Sequence, residues 1–143
     1  MVDIERVFTV STPVAEVYDY LRDFARAEEW DPGTISCSQE SSGPVAVGTT
    51  WKNVSEFRGK ETELTYTLTK DDPDHLQFVG ENKTVTSTDD ISFAPVDGGT
   101  RITYHADFEF HGLAKLAVPF VKGELDSLGD KTQEQLSTVL NRR

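Results

Sequence analysis

The chain has 143 residues, the size of a single domain that can bury a core without disulfides or metals. Its 25 Asp and Glu residues outnumber 14 Lys and Arg, and the net charge of −11 argues against nucleic acid and anionic membranes as partners. The lone Cys37 has no partner for an internal disulfide and suits a reducing compartment. We therefore expect one cytoplasmic domain over residues 1–143, a monomer or weak dimer, with no signal peptide or membrane-inserted segment.

The first thirty residues predict a strand followed by two short helices. Residues 2–10 alternate between apolar and polar side chains, which is typical of a half-buried strand. Thr12 is the expected N-cap of the first helix, with Pro13 at its first helical position. Apolar residues at helical spacing continue over 14–24, and a second short helix over 23–30 is closed by an Asp-Pro-Gly turn.

The middle of the chain predicts one strand after another, separated by short turns rich in Gly, Pro and Asp. Short connections favour sequential antiparallel neighbours rather than a parallel sheet. The predicted strands lie near 34–41, 48–57, 61–70, 75–81, 84–95 and 100–110.

The last thirty residues predict a long amphipathic helix. Its apolar positions recur at steps of three and four, with Thr132 filling one gap. We expect a looser segment over 112–123, where Pro119 marks a kink or the first helical turn, and a firm helix over 124–141. The apolar stripe consists of Val118, Val121, Leu125, Leu128, Leu136 and Val139.

This order of elements resembles the SRPBCC superfamily, the START and Bet v 1-like helix-grip proteins, and in particular its polyketide cyclase/dehydrase-like branch. The resemblance lies in the opening IERVFTVSTPVAEVYDYLRDFARAEEWDPG, the later ISFAPVDGGTRITYHADF and the apolar final helix. It implies an α+β fold in which a seven-stranded curved antiparallel sheet wraps around a long C-terminal helix, with two short helices after strand 1. It also implies an apolar pocket between sheet and helix. Members of the superfamily bind lipids, sterols and polyketides, and only some catalyse reactions.

Strand alternation predicts which side chains face such a pocket. Ile102 and Leu64 fix the inward face of their strands, and the aromatic and polar residues in phase with these and similar anchors share it. Apolar walls with a few polar groups are typical of small-molecule sites, although the same side chains would also fill a solid core. The ligand-binding set expected from the strands is Trp51, Asn53, Ser55, Tyr66, Phe93, Tyr104 and Phe108. Trp30, either a gate at the pocket mouth or a plug of the core, and Phe120 complete the set.

Asp89 is the candidate proton-transfer residue. A carboxyl on an apolar face has a raised pKa, which suits a general acid or base. A bulge at this point of the strand would instead turn Asp89 to solvent, and a hydrogen bond to a neighbouring Tyr or Ser would make it structural. Tyr66 and Tyr104 are candidates for polarising a ligand carbonyl, or for pairing with the backbone.

We expect neither a metal site nor a cofactor. His105, Asp107, Glu109 and His111 alternate along one strand, but successive members lie about 6.6 Å apart, too far for more than two to share one ion. Their alternation also places them on the solvated face. No phosphate-binding loop or nucleophilic triad is evident.

Three functions remain open. The first is binding of a hydrophobic, lipid- or polyketide-like molecule without catalysis. The second is a polyketide cyclase, aromatase or dehydratase that uses Asp89. The third is a protein-interaction module, which requires a filled core and an exposed apolar patch.

Overall fold

The computed structural model of the protein describes residues 2–142. The predicted α+β architecture is confirmed: a curved sheet of seven antiparallel strands holds one long C-terminal helix, and short helical segments follow the first strand. The elements are β1 (Val2–Val10), α1 (Val14–Leu21), a 3-10 turn (Phe24–Arg26), α2 (Ala27–Trp30), β2 (Thr34–Gln39), β3 (Thr50–Phe57), β4 (Lys60–Asp72), β5 (His75–Glu81), β6 (Val85–Val96), β7 (Gly99–Phe110), a 3-10 segment (Gly112–Ala117) and α3 (Val118–Asn141).

The sheet is a meander closed by the first strand. Its order is β1-β7-β6-β5-β4-β3-β2, and every neighbouring pair is antiparallel. The hairpins from β2 to β7 follow from the short turns. The pairing of β1 with β7, from Val2 opposite Phe108 to Val10 opposite Thr100, joins the first strand of the chain to the last.

The N-cap prediction for Thr12 is wrong. Helix α1 begins at Val14, and Pro13 occupies the N-cap position without a side-chain capping bond. The Thr12 hydroxyl instead donates to the carbonyl of Leu140 in α3, and the Thr12 carbonyl accepts a hydrogen bond from Thr100. A buried tertiary partner has displaced the local capping role of this hydroxyl.

The final helix is longer than the 124–141 predicted. It begins at Val118, and Pro119 lies in its first turn. A proline is tolerated there because the first amides of a helix have no intrahelical acceptor to lose. Only residues 112–117 form the looser segment, as a 3-10 helix.

The two halves of α3 make different contacts with the sheet. Leu136 and Leu140, in its C-terminal half, are fully buried in the main core. Val121 and Leu125, in its N-terminal half, belong to a separate small cluster with Val2 of β1. The side chains between the main core and the N-terminal half of α3 leave space, and this space contains the candidate site.

Candidate functional site

A cavity of about 740 Å³ lies between the sheet and the N-terminal half of α3. This volume is within the range of small-molecule sites. The walls are mainly apolar, with side chains from the sheet facing side chains from the helix. The apolar wall is formed chiefly by Ile4, Leu64, Phe108, Val121, Leu125 and Leu128.

The cavity has a mouth where its lining residues reach solvent. Glu56, Arg58, Lys60 and Thr84 line the cavity and are exposed. They lie in or beside the turns that connect β3 to β4 and β5 to β6. Arg58 forms an ion pair with Glu124 of α3, at 3.3 Å, which joins the sheet to the helix at the mouth.

The cavity also has a buried polar end, formed by Asp31, Tyr66, Ser87, Asp89 and Tyr104. The four strand residues of this set are between 4% and 7% exposed. The register places Ser87 of β6 opposite Gly80 of β5, and Gly80 in turn opposite Tyr66 of β4. The polar end is therefore a patch on the concave face of neighbouring strands.

Asp89 points to the cavity from a regular strand. It pairs with Phe78 of β5 and with Ala106 of β7, and β6 shows no register shift against either neighbour. A bulge that turns Asp89 to solvent is therefore excluded. Burial, followed by the negative charge of Asp31, raises the pKa of Asp89 to about 8, although the Tyr104 hydroxyl donates to its carboxylate and opposes this rise.

Asp31 is the site residue that the sequence analysis missed, because its Asp-Pro-Gly context indicated only a turn. It follows α2, lines the cavity, and accepts hydrogen bonds from the Thr34 hydroxyl at 2.6 Å and the Gly33 amide at 3.3 Å. The Thr34 hydroxyl in turn accepts a hydrogen bond from Asn53. Burial raises the pKa of Asp31, while these donors lower it. The turn therefore adds a second carboxyl beside Asp89.

Tyr66 and Tyr104 remain protonated hydrogen-bonding groups at neutral pH. Burial and the nearby negative charges of Asp89 and Asp31 raise the pKa of both phenols well above the usual value. Tyr66 is hydrogen-bonded to Ser87. The Tyr104 ring packs edge-on against Trp30, with centroids 6.1 Å apart, so this contact holds the phenol that reaches Asp89.

The structure brings five of the predicted residues together around the cavity. The inward faces assigned from strand alternation are confirmed for each of them, since all five line the cavity wall. These residues are Ser55, Tyr66, Asp89, Tyr104 and Phe108.

Four other predicted residues lie in the solid core rather than at the cavity. For Trp51, Asn53 and Phe93 the predicted position at the pocket is wrong, and for Trp30 the second of its two predicted roles, a plug of the core, is confirmed. Trp30, Trp51, Asn53 and Phe93 are at most 4% exposed and are absent from the lining. At one end of the sheet, the Phe24 ring fills the space between Trp30 and Trp51, so these two side chains pack in the core and do not border the cavity. Trp30 is therefore a plug and not a gate.

Phe120 is also misplaced by the prediction. It is 73% exposed and does not line the cavity, whereas its neighbours Ala117 and Val121 do. At 100° per residue, the side chain at 120 lies about 100° around α3 from Val121, whose cavity-facing side Leu125 and Leu128 continue.

The outer face of β7 carries a group of polar side chains away from the cavity. His105 contacts Asp3 of β1 at 2.9 Å and Asp107 at 3.7 Å; the hydrogen bond with Asp3, followed by the nearby negative charges, raises the pKa of this histidine. One ligand atom from each of these three residues lies within 4.8 Å of the others. Asp3 enters the group only through the pairing of β1 with β7, and the contacts are those of a surface ion-pair network.

The chain belongs to the family described as "Polyketide cyclase / dehydrase and lipid transport", whose profile matches residues 1–137. This confirms the resemblance seen in the sequence. No curated protein sequence matches the chain significantly. Among residues 2–142, no helix combines the length and the apolar character that crossing a bilayer requires.

Solved structures share the fold at low sequence identity. A START superfamily protein from Mycobacterium smegmatis has a TM-score of 0.80 at 12% identity, over 98% of this chain and 97% of the other. The Zhui aromatase/cyclase from Streptomyces sp. R1128 has a TM-score of 0.74 at 14% identity, over 98% and 91% of the two chains. The di-domain aromatase/cyclase StfQ, from the steffimycin biosynthetic pathway, has a TM-score of 0.73 at 14% identity; the alignment covers 99% of this chain but spans only 51% of StfQ. Identities this low establish the fold alone.

The Asp89 carboxyl predicts a pH-dependent stability. An unfolded chain ionises Asp89 near its ordinary pKa of 3.8, whereas the folded protein holds the proton up to about pH 8. The free energy of unfolding should therefore fall as pH rises through this window, by at most about 1.4 kcal/mol per unit, and level off above it. Asp89→Asn should remove this slope, so its advantage over the wild type grows between pH 5 and pH 8 in urea unfolding.

Asp72→Asn, on an exposed position of β4, is the matched control. Its difference from the wild type should stay constant over the same pH range. An equally constant difference for Asp89→Asn would show that the folded protein does not hold the Asp89 proton.

The close approach of Tyr66 to Gly80 predicts a strong energetic coupling. A Cβ built on Gly80 would lie 2.5 Å from the Tyr66 ring, so Gly80→Ala must displace a ring that lines the cavity. We expect Gly80→Ala to cost about 1–3 kcal/mol in urea unfolding. In Tyr66→Ala the same substitution should cost much less, because the obstructing ring is gone. Additive costs in the double variant would contradict this contact.

Proposed function

We propose that the protein binds a hydrophobic small molecule, lipid- or polyketide-like, in the cavity between the sheet and α3. The observation that carries this proposal is the cavity itself: about 740 Å³ of space with a mainly apolar wall and one buried polar end. Apolar surface provides affinity in such sites, and a few polar groups orient the ligand. Membership of a family described by cyclase, dehydrase and lipid-transport functions supports the same class of ligand.

In this proposal, the ligand body lies against Leu64, Phe108, Leu125 and Leu128, and its polar group lies at Asp89, Tyr66 and Tyr104. Ser55 is a further orienting group on the β3 side. No cofactor takes part. The proposal includes a cytoplasmic monomer or weak dimer with no nucleic-acid partner, in keeping with the acidic charge.

Acid–base catalysis on a polyketide-like substrate is the second candidate. It is favoured by one observation, the burial of Asp89 at the cavity wall, which raises the pKa of its carboxyl to about 8. The hydrogen bond with Tyr104 is the contact that a structural role for Asp89 would use instead. A carboxyl that holds its proton at neutral pH can donate it to a substrate carbonyl or enol, and the resulting carboxylate can take a proton back. Tyr66, on the same cavity wall, would polarise the carbonyl.

If the ligand binds in the cavity, a larger side chain that fills the cavity should weaken ligand binding. Ala117 lines the cavity beside its apolar wall, whereas neighbouring Leu116 is 72% exposed and does not line it. Ala117→Trp should weaken binding of the neutral apolar dye Nile red at least about tenfold, which corresponds to about 1.4 kcal/mol. Leu116→Trp, the matched control, should leave the affinity unchanged in fluorescence titrations. Equal affinities in all three proteins would place the dye outside the cavity and contradict the proposal.

Catalysis predicts a defined pH dependence. With an aromatic-polyketide substrate that turns over, kcat should change with an apparent pKa near 8, set by Asp89, and Asp89→Asn should abolish turnover. Tyr104→Phe removes a donor that lowers the pKa of Asp89, so it should move the profile to higher pH. Turnover that survives Asp89→Asn with an unchanged pH profile would rule out Asp89 as the proton-transfer group.

A further inference from the structure

The polar end of the cavity contains two carboxyls without a cationic partner. Asp31 and Asp89 both line the cavity, and the charge of Asp31 affects the ionisation of Asp89. Among residues 2–142, no ion pair of the structure includes either of them. A buried carboxylate without a cation nearby is costly, so the protein holds an unbalanced acidic site at this end.

The two carboxyls are not equivalent. Asp31 accepts hydrogen bonds from the Thr34 hydroxyl and the Gly33 amide, and both stabilise its ionised form. Asp89 accepts a hydrogen bond from Tyr104, and the negative charge of Asp31 disfavours its ionised form. Asp31 is therefore the more readily ionised of the two carboxyls, and Asp89 is the one that keeps its proton at neutral pH.

The basic residues of the cavity lining lie at its mouth. Arg58 and Lys60 are the cations of the lining that the structure describes, and both are exposed at the mouth. Lys60 precedes Tyr66 by six positions on β4, about 20 Å of strand. An anionic group held beside Tyr66 and Asp89 would therefore lie about a strand's length from Lys60, and Arg58 is already paired with Glu124.

Among residues 2–142, the side chains that β4, β7 and α3 contribute to the polar end are uncharged. Tyr66 of β4 and Tyr104 of β7 face it as neutral phenols. Helix α3 contributes Leu125, Leu128 and Thr132 to the cavity. The Thr132 hydroxyl is used within the helix, where it donates to the carbonyl of Leu128. The two carboxyls therefore determine the net charge at the polar end.

We propose that the polar end selects an apolar molecule carrying a protonated amine, which inserts between Asp31 and Asp89 and supplies the missing cation. This rests on the proposed function and specifies its ligand class. Binding of the amine ionises Asp89, because a cation beside a carboxyl favours the charged form. A carboxylate ligand would add a further negative charge and is excluded unless it takes up a proton.

Competition among three ligands with the same apolar chain tests this selectivity. Dodecylamine, dodecanol and dodecanoic acid each displace Nile red at pH 7, below their aggregation concentrations. We expect the amine to bind most tightly, the alcohol next, and the acid at least about tenfold more weakly than the amine, which corresponds to about 1.4 kcal/mol. Equal affinities would overturn the selectivity and leave the apolar cavity intact. Failure of Nile red and all three ligands to bind would instead overturn the proposed function.

Two variants and a measurement of the protons released or taken up on binding complete the test. Asp89→Asn should weaken the amine and spare both the alcohol and the acid, because Asp89 is uncharged until the amine binds, whereas Leu128→Ala, in the apolar wall, should weaken all three alike. Calorimetry in buffers of different ionisation enthalpy should show release of up to about one proton with the amine, uptake with the acid and neither with the alcohol. An amine that binds without proton release, and equally well to Asp89→Asn, would show that the carboxyl pair does not recognise it.

Discussion

The structure depends on how one long helix is fixed to a curved sheet. The C-terminal half of α3 contributes Leu136 and Leu140 to the main core, where both are fully buried. Farther towards its N-terminus, Arg6 of β1 donates to the carboxylates of Asp126 and Asp130, and Gly129 lets the helix approach β1 closely. Beyond these contacts the helix continues over the open end of the sheet. Because it is fixed along one edge and in the core, its N-terminal half covers a cavity that it does not fill.

This arrangement explains why an apolar cavity contains acidic groups. The concave face of the strands is buried whether or not a ligand is present, so any polar residue in phase with it loses water. Asp89 lowers this desolvation cost by keeping its proton, and Asp31 lowers it by accepting hydrogen bonds from its own turn. A stable fold would tolerate apolar residues at both positions at least as well. The cost of keeping two carboxyls there is therefore consistent with a role in recognising a ligand.

Strand alternation made much of the site predictable from the sequence. Its period of two placed Tyr66, Asp89, Tyr104 and Phe108 on the concave face, and the structure confirms these faces. Alternation does not indicate how far along a strand the helices pack. Trp51 therefore has the predicted face but lies under Phe24, in the solid part of the core.

Other features depended on contacts between distant parts of the chain. Asp31 could not be placed in the site because its local sequence indicates a turn, and only the fold brings that turn to Asp89. Thr12 left its expected capping position for a partner at the other end of the chain, Leu140. The start of α3 was placed too late because the glycines and Pro119 before residue 124 resemble a loop, although a proline in the first turn is compatible with a helix.

The proposed ligand site is the space under α3, and the aromatic region beside it is close-packed core. A backbone amide chemical-shift titration by NMR, with a neutral apolar ligand such as dodecanol, distinguishes the cavity from the close-packed core. The account predicts saturable shifts concentrated in residues 55–57, 64–66, 87–89, 104–108 and 117–128, with residues 51–53 and 76–78 unaffected. A well-dispersed spectrum that shows no saturable shifts, or shifts centred on 51–53 and 76–78, would contradict it.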